Sequence, residues 1–391
     1  MPSSLENIVI VGAKRTPIGA LLGELSTLSA SDLGAIAIKA AVEQAGIEPE
    51  QVNWALMGNV LGAGQGQAPA RQAALKAGLS NHCQATTLNK MCGSGMQAVI
   101  IGRNAILAGE ADIVVAGGME SMSNAPFLSK THRKGSKYGH DKLYDHMALD
   151  GLEDAYEGKA MGVYADASAA KYGFSREAQD DYALETLTRA QTADFASEIA
   201  PVMIVGRSGE TSITSDELPR QARPEKIRSL KPAFGKDGTV TAANASGISD
   251  GAAALVLMRE SAANAGGHEV LARIVATSGF AHEPPLFTTA PVYAMKNAIA
   301  RAGWQIDDVS LFEINEAFAV VPMIAMKDLG IAHDIINVNG GACALGHPIG
   351  ASGARIIATL IYAMLARGVK KGCASLCIGG GEATAVCLEM D

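Results

Sequence analysis

The sequence predicts an α/β protein built from two related halves, and three observations carry that reading. Apolar stretches of strand length alternate with longer stretches of helical period, the pattern of sheets packed against helices. A block of about seventy residues near the start recurs near the end at a nearly constant shift. Apolar residues make up 48% of the chain but aromatics only 5%, and 43 glycines leave room for closely packed layers.

Residues 7–11 (Ile8-Val9-Ile10-Val11) predict a buried strand, with a turn at Arg15-Thr16-Pro17-Ile18-Gly19. Residues 31–45 predict a helix capped by Ser31 or Ser29 and stopped at Gly46. A short strand at 54–57 and a helix at 68–77 follow, then a helix at 96–108 led by Cys92 and a strand at 112–116 ending in Gly117-Gly118. Placed at a helix N-terminus among small residues, the Cys92 thiol is expected to have a lowered pKa, because unpaired N–H groups favour the thiolate. The same residue also suits inert packing.

The repeat is read from particular residues. Ala302-Gly303-Trp304 with Val309 echoes Ala45-Gly46-Ile47 with Val52 at a shift of 257, and Gly350-Ala351-Ser352-Gly353 falls on Cys92-Gly93-Ser94-Gly95 at 258. Residues 1–117 with the strand region 248–267 form the first half, and 268–391 the second. Residues 118–247, more polar, are expected to be an inserted loop domain over one face, suited to substrate binding and oligomerisation. Within it, residues 129–146 are a cationic loop, 175–197 an amphipathic helix beginning at Ser175, and Gly235–Gly238 a turn.

Composition narrows the function. A net charge of −8 argues against a nucleic-acid binder as a whole, and no apolar run reaches the length of a membrane span. Six cysteines without a C-x-x-C pair suggest a reducing compartment, and with no leader-like opening stretch a cytoplasmic setting is expected. No His/Cys spacing recommends a metal site.

If loops at equivalent strand ends converge about a pseudo-twofold axis, Cys92 of one half meets Asn315, His347 and Cys377 of the other. That set suits acyl transfer with carbon–carbon bond chemistry: a nucleophilic thiol, an imidazole to take its proton, a second thiol for a substrate C–H, and glycine-flanked N–H donors for an oxyanion. Taken singly, His347 could brace a turn, Cys377 could be core, Asn315 a cap and Glu316 a helix N-terminal charge. Cys83, Cys343, Cys373 and Cys387 read as packing.

The motifs Asn89-Lys90-Met91-Cys92-Gly93-Ser94-Gly95, Gly117–Ser123, Asn244–Gly247, Asn315-Glu316-Ala317-Phe318, Gly346–Gly353 and Cys377–Gly381 together resemble those of the thiolases, and within them the acetyl-CoA acetyltransferases. The resemblance covers essentially the whole chain. It implies the five-layer αβαβα thiolase fold and a Claisen condensation of two acetyl-CoA to acetoacetyl-CoA and CoA, with the reverse thiolysis. It further implies that Cys92 carries the acetyl group, His347 takes its proton and Cys377 removes the Cα proton. His347 and a water on Asn315 would form one oxyanion hole, and the N–H groups of Cys92 and Gly379 the other.

The resemblance assigns coenzyme A contacts to Arg220, Ser246, Leu152 and Arg223, with Met161, Phe287 and Phe318 at the acyl end. No cofactor beyond coenzyme A thioesters is implied, and a homotetramer, a dimer of dimers joined with help from the cationic loop, is expected. Three positions depart from the family pattern. Ala160 replaces a common His, Phe287 stands where many short-chain members have Met, and Leu187 stands where a potassium-binding Tyr occurs in one type, so no potassium activation is expected. A broader-range degradative 3-ketoacyl-CoA thiolase is the alternative enzyme. A non-catalytic acyl-CoA-binding or lipid-binding relative is the alternative from another class.

Overall fold

The computed structural model describes residues 6–206 and 209–391; positions 1–5 of the first half lie outside the described residues. The first half comprises β1 (Ile8–Arg15), β2 (Gly19–Ala20), α1 (Ala30–Ala45), β3 (Trp54–Gly58), α2 (Pro69–Lys76), β4 (Gln84–Leu88), α3 (Ser94–Ala108) and β5 (Ile113–Ser121). Ser29, rather than Ser31, caps α1. Its hydroxyl accepts the Asp32 N–H while the Asp32 carboxylate accepts the Ser29 N–H, and the helix ends at Gly46 with φ 61°.

The insertion holds β6 (Phe127–Ser129), β7 (Leu143–Asp145), α4 (Met161–Tyr172), α5 (Arg176–Thr192), β8 (Val202–Gly206), β9 (Gly209–Ile213) and α6 (Glu217–Gln221). β10 (Ser249–Arg259) then returns to the first half, followed by α7 (Glu260–Gly266). The second half is β11 (Ala272–Ala281), α8 (Ala290–Arg301), β12 (Leu311–Ile314), α9 (Val320–Leu329), α10 (Ala342–Leu345), α11 (Ser352–Arg367), β13 (Lys371–Ile378) and β14 (Glu382–Glu389).

The main sheet runs β12-β13-β14-β11-β1-β10-β5-β3-β4. Read outward from the β11/β1 junction, it is a palindrome: β14 answers β10, β13 answers β5 and β12 answers β3. Along this path β4 lacks a full counterpart, its place in the second half holding a single bridge between Phe312 and Ile336, and the two-residue β2 pairs with β10 off the path. The halves join through a two-residue ladder, Val9 with Arg273 and Ile10 with Ala272.

Strand alternation separates three cores. Val9 and Val11 pack outward with α1 and α2; Ile8 and Ile10 pack inward against α3 and α11. On the other side, Leu376 and Val386 face the central core while Cys377 and Ala385 face α8 and α9. The layers are therefore αβαβα, with α3 and α11 back to back in the middle. There Gly95 and Gly353 allow backbones to touch. A Cβ at Gly95 would lie 2.8 Å from the Ala354 nitrogen, and one at Gly353 2.3 Å from the Met96 nitrogen.

Several elements differ from expectation. β1 continues to Arg15, which is fully buried and held by Glu198 and Asp216 instead of forming a turn. β5 runs on to Ser121, since Met119, Glu120 and Ser121 keep pairing with β10, so the division at 117 falls inside a strand. α5 begins after its Ser175 cap but stops at Thr192, where Ala193 turns extended and the Asp194 carboxylate accepts the Ala196 N–H. The cationic stretch contains an antiparallel pair, β6 with β7.

Candidate active site

Cys92 sits in the turn between β4 and α3, two residues before the helix begins. Asn89 Oδ1 accepts the Met91 N–H at 2.8 Å, and Ser94 Oγ accepts the Lys90 N–H at 2.8 Å while donating to the Met91 carbonyl at 2.6 Å. These bonds hold Met91 at φ 47°, a left-handed conformation that costs a non-glycine residue about 1–2 kcal/mol. Strain of this kind gathers where a side chain has to be aimed.

The second half brings its own loops to the same place. A cavity of about 60 Å³ is lined by Cys92, His347, Cys377 and Gly379, with Ser246, Leu152, Met161, Phe287 and Phe318 among its other walls. Phe287 and Phe318 meet edge to face, ring centroids 6.2 Å apart, and close the apolar end. The two thiols and the imidazole thus share one pocket.

Electrostatics overturns one expectation. Burial pushes the Cys92 thiol up to about 11, and the charge on Glu120 adds to the rise. The Gly379 and Cys92 N–H groups at the sulfur pull the other way and lose. Desolvation outweighs the helix N-terminus here because the screw of N–H groups begins beyond the cysteine, at Ser94. Cys377 is raised well above the ordinary thiol range, by burial first and then by the charge of Cys92.

His347 moves in the opposite direction, down to about 3, through burial and the positive Arg355 nearby. Its Nδ1 lies 2.5 Å from Ser352 Oγ, whose proton goes to the Pro348 carbonyl at 3.0 Å. Ser352 therefore accepts from Nδ1–H, leaving Nε2 as a bare acceptor, buried and without a partner. The resting pair is neutral thiol and neutral imidazole. Forming thiolate and imidazolium in the resting site would cost on the order of 10 kcal/mol before their mutual attraction, so the pair rests uncharged.

The remaining residues divide between cavity and surroundings. Asn315 follows β12 and does not line the cavity. Its N–H donates to the Ser375 carbonyl at 3.0 Å, its Oδ1 accepts from Arg355 at 3.3 Å, and its Nδ2 is buried with no partner. Glu316 is no helix-end charge. It is a buried hub accepting from Tyr182, Thr186, Asn337 and the Cys343 N–H. Arg223 lines a separate groove of about 370 Å³ with Lys226, Gly247 and Cys343, so Cys343 borders open space rather than serving only as packing. Since Gly247 follows Ser246, groove and cavity share a wall. Arg220 lies in neither; its guanidinium binds Glu24 at 2.5 Å and the Asp216 carbonyl at 3.2 Å.

Three positions escaped sequence reasoning. Glu120 accepts the N–H groups of Val60, Leu61 and Gly350 and the Asn59 side chain, tying the loops beside Cys92 and His347 together. Burial nevertheless pushes it up to about 7. Ser352 and Arg355 act through His347 and Asn315. The available signal was an acid in an apolar strand and an arginine in an apolar helix, residues rarely buried unless paired. No cluster able to hold a metal ion occurs among the described residues.

Comparison with known proteins agrees with this geometry. Residues 8–261 match the thiolase N-terminal domain and 268–390 the thiolase C-terminal domain. The chain is 48% identical to the acetyl-CoA acetyltransferase of Cupriavidus necator over 98% of its length and all of that protein. It is equally identical to a probable acetyl-CoA acetyltransferase of Dictyostelium discoideum, over 99% of this chain and 94% of that one. A solved acetyl-CoA acetyltransferase from Syntrophomonas wolfei superposes with a TM-score of 0.95 at 38% identity, covering 99% of this chain and 100% of the other.

Proposed function

The chain belongs to the thiolase family, and from that premise we propose that it is an acetyl-CoA C-acetyltransferase, joining two acetyl-CoA into acetoacetyl-CoA and CoA and running the reverse thiolysis. The observation that carries this reading is the convergence of Cys92, His347 and Cys377 on one small cavity. Cys92 gives its proton to His347 Nε2 as its sulfur attacks the thioester, and coenzyme A leaves with a proton. The Cys377 thiol supplies that proton and becomes a thiolate, which takes a Cα proton from the second acetyl-CoA; the new carbanion attacks acetyl-Cys92, and the freed Cys92 sulfur regains its proton from His347. The Cys92 and Gly379 N–H groups, already at the sulfur, are the donors for the acetyl oxygen.

The whole cavity is about 60 Å³ and its apolar end is walled by Phe287 and Phe318, which supports short chains despite the missing His at 160. Arg223 and Lys226 in the adjoining groove suit the phosphates of coenzyme A better than Arg220, already paired with Glu24. Coenzyme A thioesters are the only partners this chemistry needs, with no further cofactor. The exposed Phe127 and Leu143 beside the lysine-rich turn suit a contact between dimers in a homotetramer. Six free thiols, with Cys373 facing Cys387 across paired strands, suit a reducing, cytoplasmic setting.

The test is the chain-length profile of thiolysis. The expected outcome is a preference for C4 over C6 and C8 ketoacyl-CoA, with an acetyl group trapped on Cys92 by mass spectrometry. Preference for the longer chains would return the degradative 3-ketoacyl-CoA thiolase instead, and absence of any trapped acetyl group a binding protein.

A further inference from the structure

Two polar atoms are buried without partners at this end of the second half: His347 Nε2, whose ring lines the cavity, and Asn315 Nδ2, two residues before the cavity-lining Ala317. The start of one helix accounts for both. Ser352 and Arg355 are three residues apart on α11 and emerge on one face. Ser352 sets the imidazole tautomer, as described above. Arg355, 2% exposed, reaches the neighbouring strand end: Nη1 lies 3.0 Å from Glu313 Oε1 and Nη2 3.3 Å from Asn315 Oδ1.

A guanidinium has donors and no acceptor, so it can face only the carbonyl end of a carboxamide. The flipped amide would set NH₂ against N–H and leave two buried donors opposed. The Asn315 backbone cannot turn away either, because its N–H is bound to Ser375, two residues before Cys377. Glu313 braces the other arm of the fork and is itself fully buried. The carboxamide is thus held in one orientation, with its donor end free.

We propose that Arg355 is a positioning residue of acyl transfer: braced by Glu313, it holds Asn315 with the carboxamide NH₂ free to stabilise, through a bridging water, the charge that develops on the thioester oxygen. The proposal rests on the thiolase reading above and adds to it the group that orients Asn315. It also explains a buried charge on a helix otherwise made of apolar and small residues at its inner face. The same helix turn would then prepare both an acceptor, Nε2, and a donor, Nδ2, before substrate arrives.

The experiment is a mutant cycle on thiolysis of acetoacetyl-CoA with four proteins: wild type, N315A, the pair R355Q/E313Q, and the three changes together. Replacing both leaves neither a lone guanidinium nor a lone carboxyl group in the core. The pair is expected to lower kcat about 100-fold, the scale of one lost oxyanion donor, with KM within about twofold. In the N315A background the same pair should cause no further loss beyond about twofold, because nothing remains to be oriented. An equal loss in both backgrounds would overturn the proposal, as a merely structural role predicts it. Should the neutral pair fail to fold, R355K keeps the charge but cannot bridge both partners, and the same two outcomes apply with and without N315A. An inactive wild type would instead defeat the reading of the reaction, and this assignment with it.

Discussion

A thiol held at about 11 beside an imidazole at about 3 leaves Cys92 protonated at rest. Its alkylation by iodoacetamide should therefore climb about tenfold per unit between about pH 7 and pH 10, following the thiolate fraction. Peptide mass spectrometry reads this directly; a rate already level below about pH 8 would mean a depressed thiol. The cysteine, the histidine and the second thiol were legible in the sequence because each stands in a glycine-rich loop that the repeat brings to a corresponding strand end. The direction of the Cys92 shift was not, since it depends on how much protein closes over the sulfur. Arg355 and Ser352 were also hidden, because they act by bonding other side chains that lie across a turn or on a different strand.

At the scale of elements, the crossing of α3 and α11 decides whether the two reactive loops meet. Each helix carries its glycine at the equivalent place, and each would strike the other's backbone if given a methyl group. Gly353→Ala, with its Cβ 2.3 Å from a backbone nitrogen, is expected to lower stability by about 1–3 kcal/mol or more, the usual cost of overpacking. A thermal melt with activity measured on the folded fraction checks it: unchanged melting and rate would mean that the helices can part freely. Helix and strand existence followed from run length and alternation, since the central helices are long, mostly apolar runs and the strands alternate between two cores. The boundaries were less legible. β5 outlasts its apolar run because β10 keeps supplying partners, and α5 ends early on a local aspartate turn.

The whole molecule is a duplicated sheet wrapped around a buried polar seam, and the seam gives it a pH signature. Burial pushes Glu313 up to about 8 and Glu120 up to about 7, both above the ordinary carboxylate range. Each binds a proton in the folded state that the unfolded chain has released, so their contribution is present at low pH and lost as pH rises through the folded value. His347, depressed, acts oppositely only below its unfolded value of about 6.5. Between about pH 6.5 and pH 8, stability should fall by about 2 kcal/mol from Glu313 alone. Denaturant midpoints across that range check the sign, and a rise would mean that both carboxylates are ionised throughout. The repeat itself was legible from a constant spacing, whereas its palindromic strand order emerged only from the pairing of the strands. The narrow ladder joining β1 to β11 carries a last consequence. Since one thiol belongs to each side of that hinge line, the chemistry is an emergent property of docking: either lobe by itself, however well folded, would own half a reaction and perform none of it.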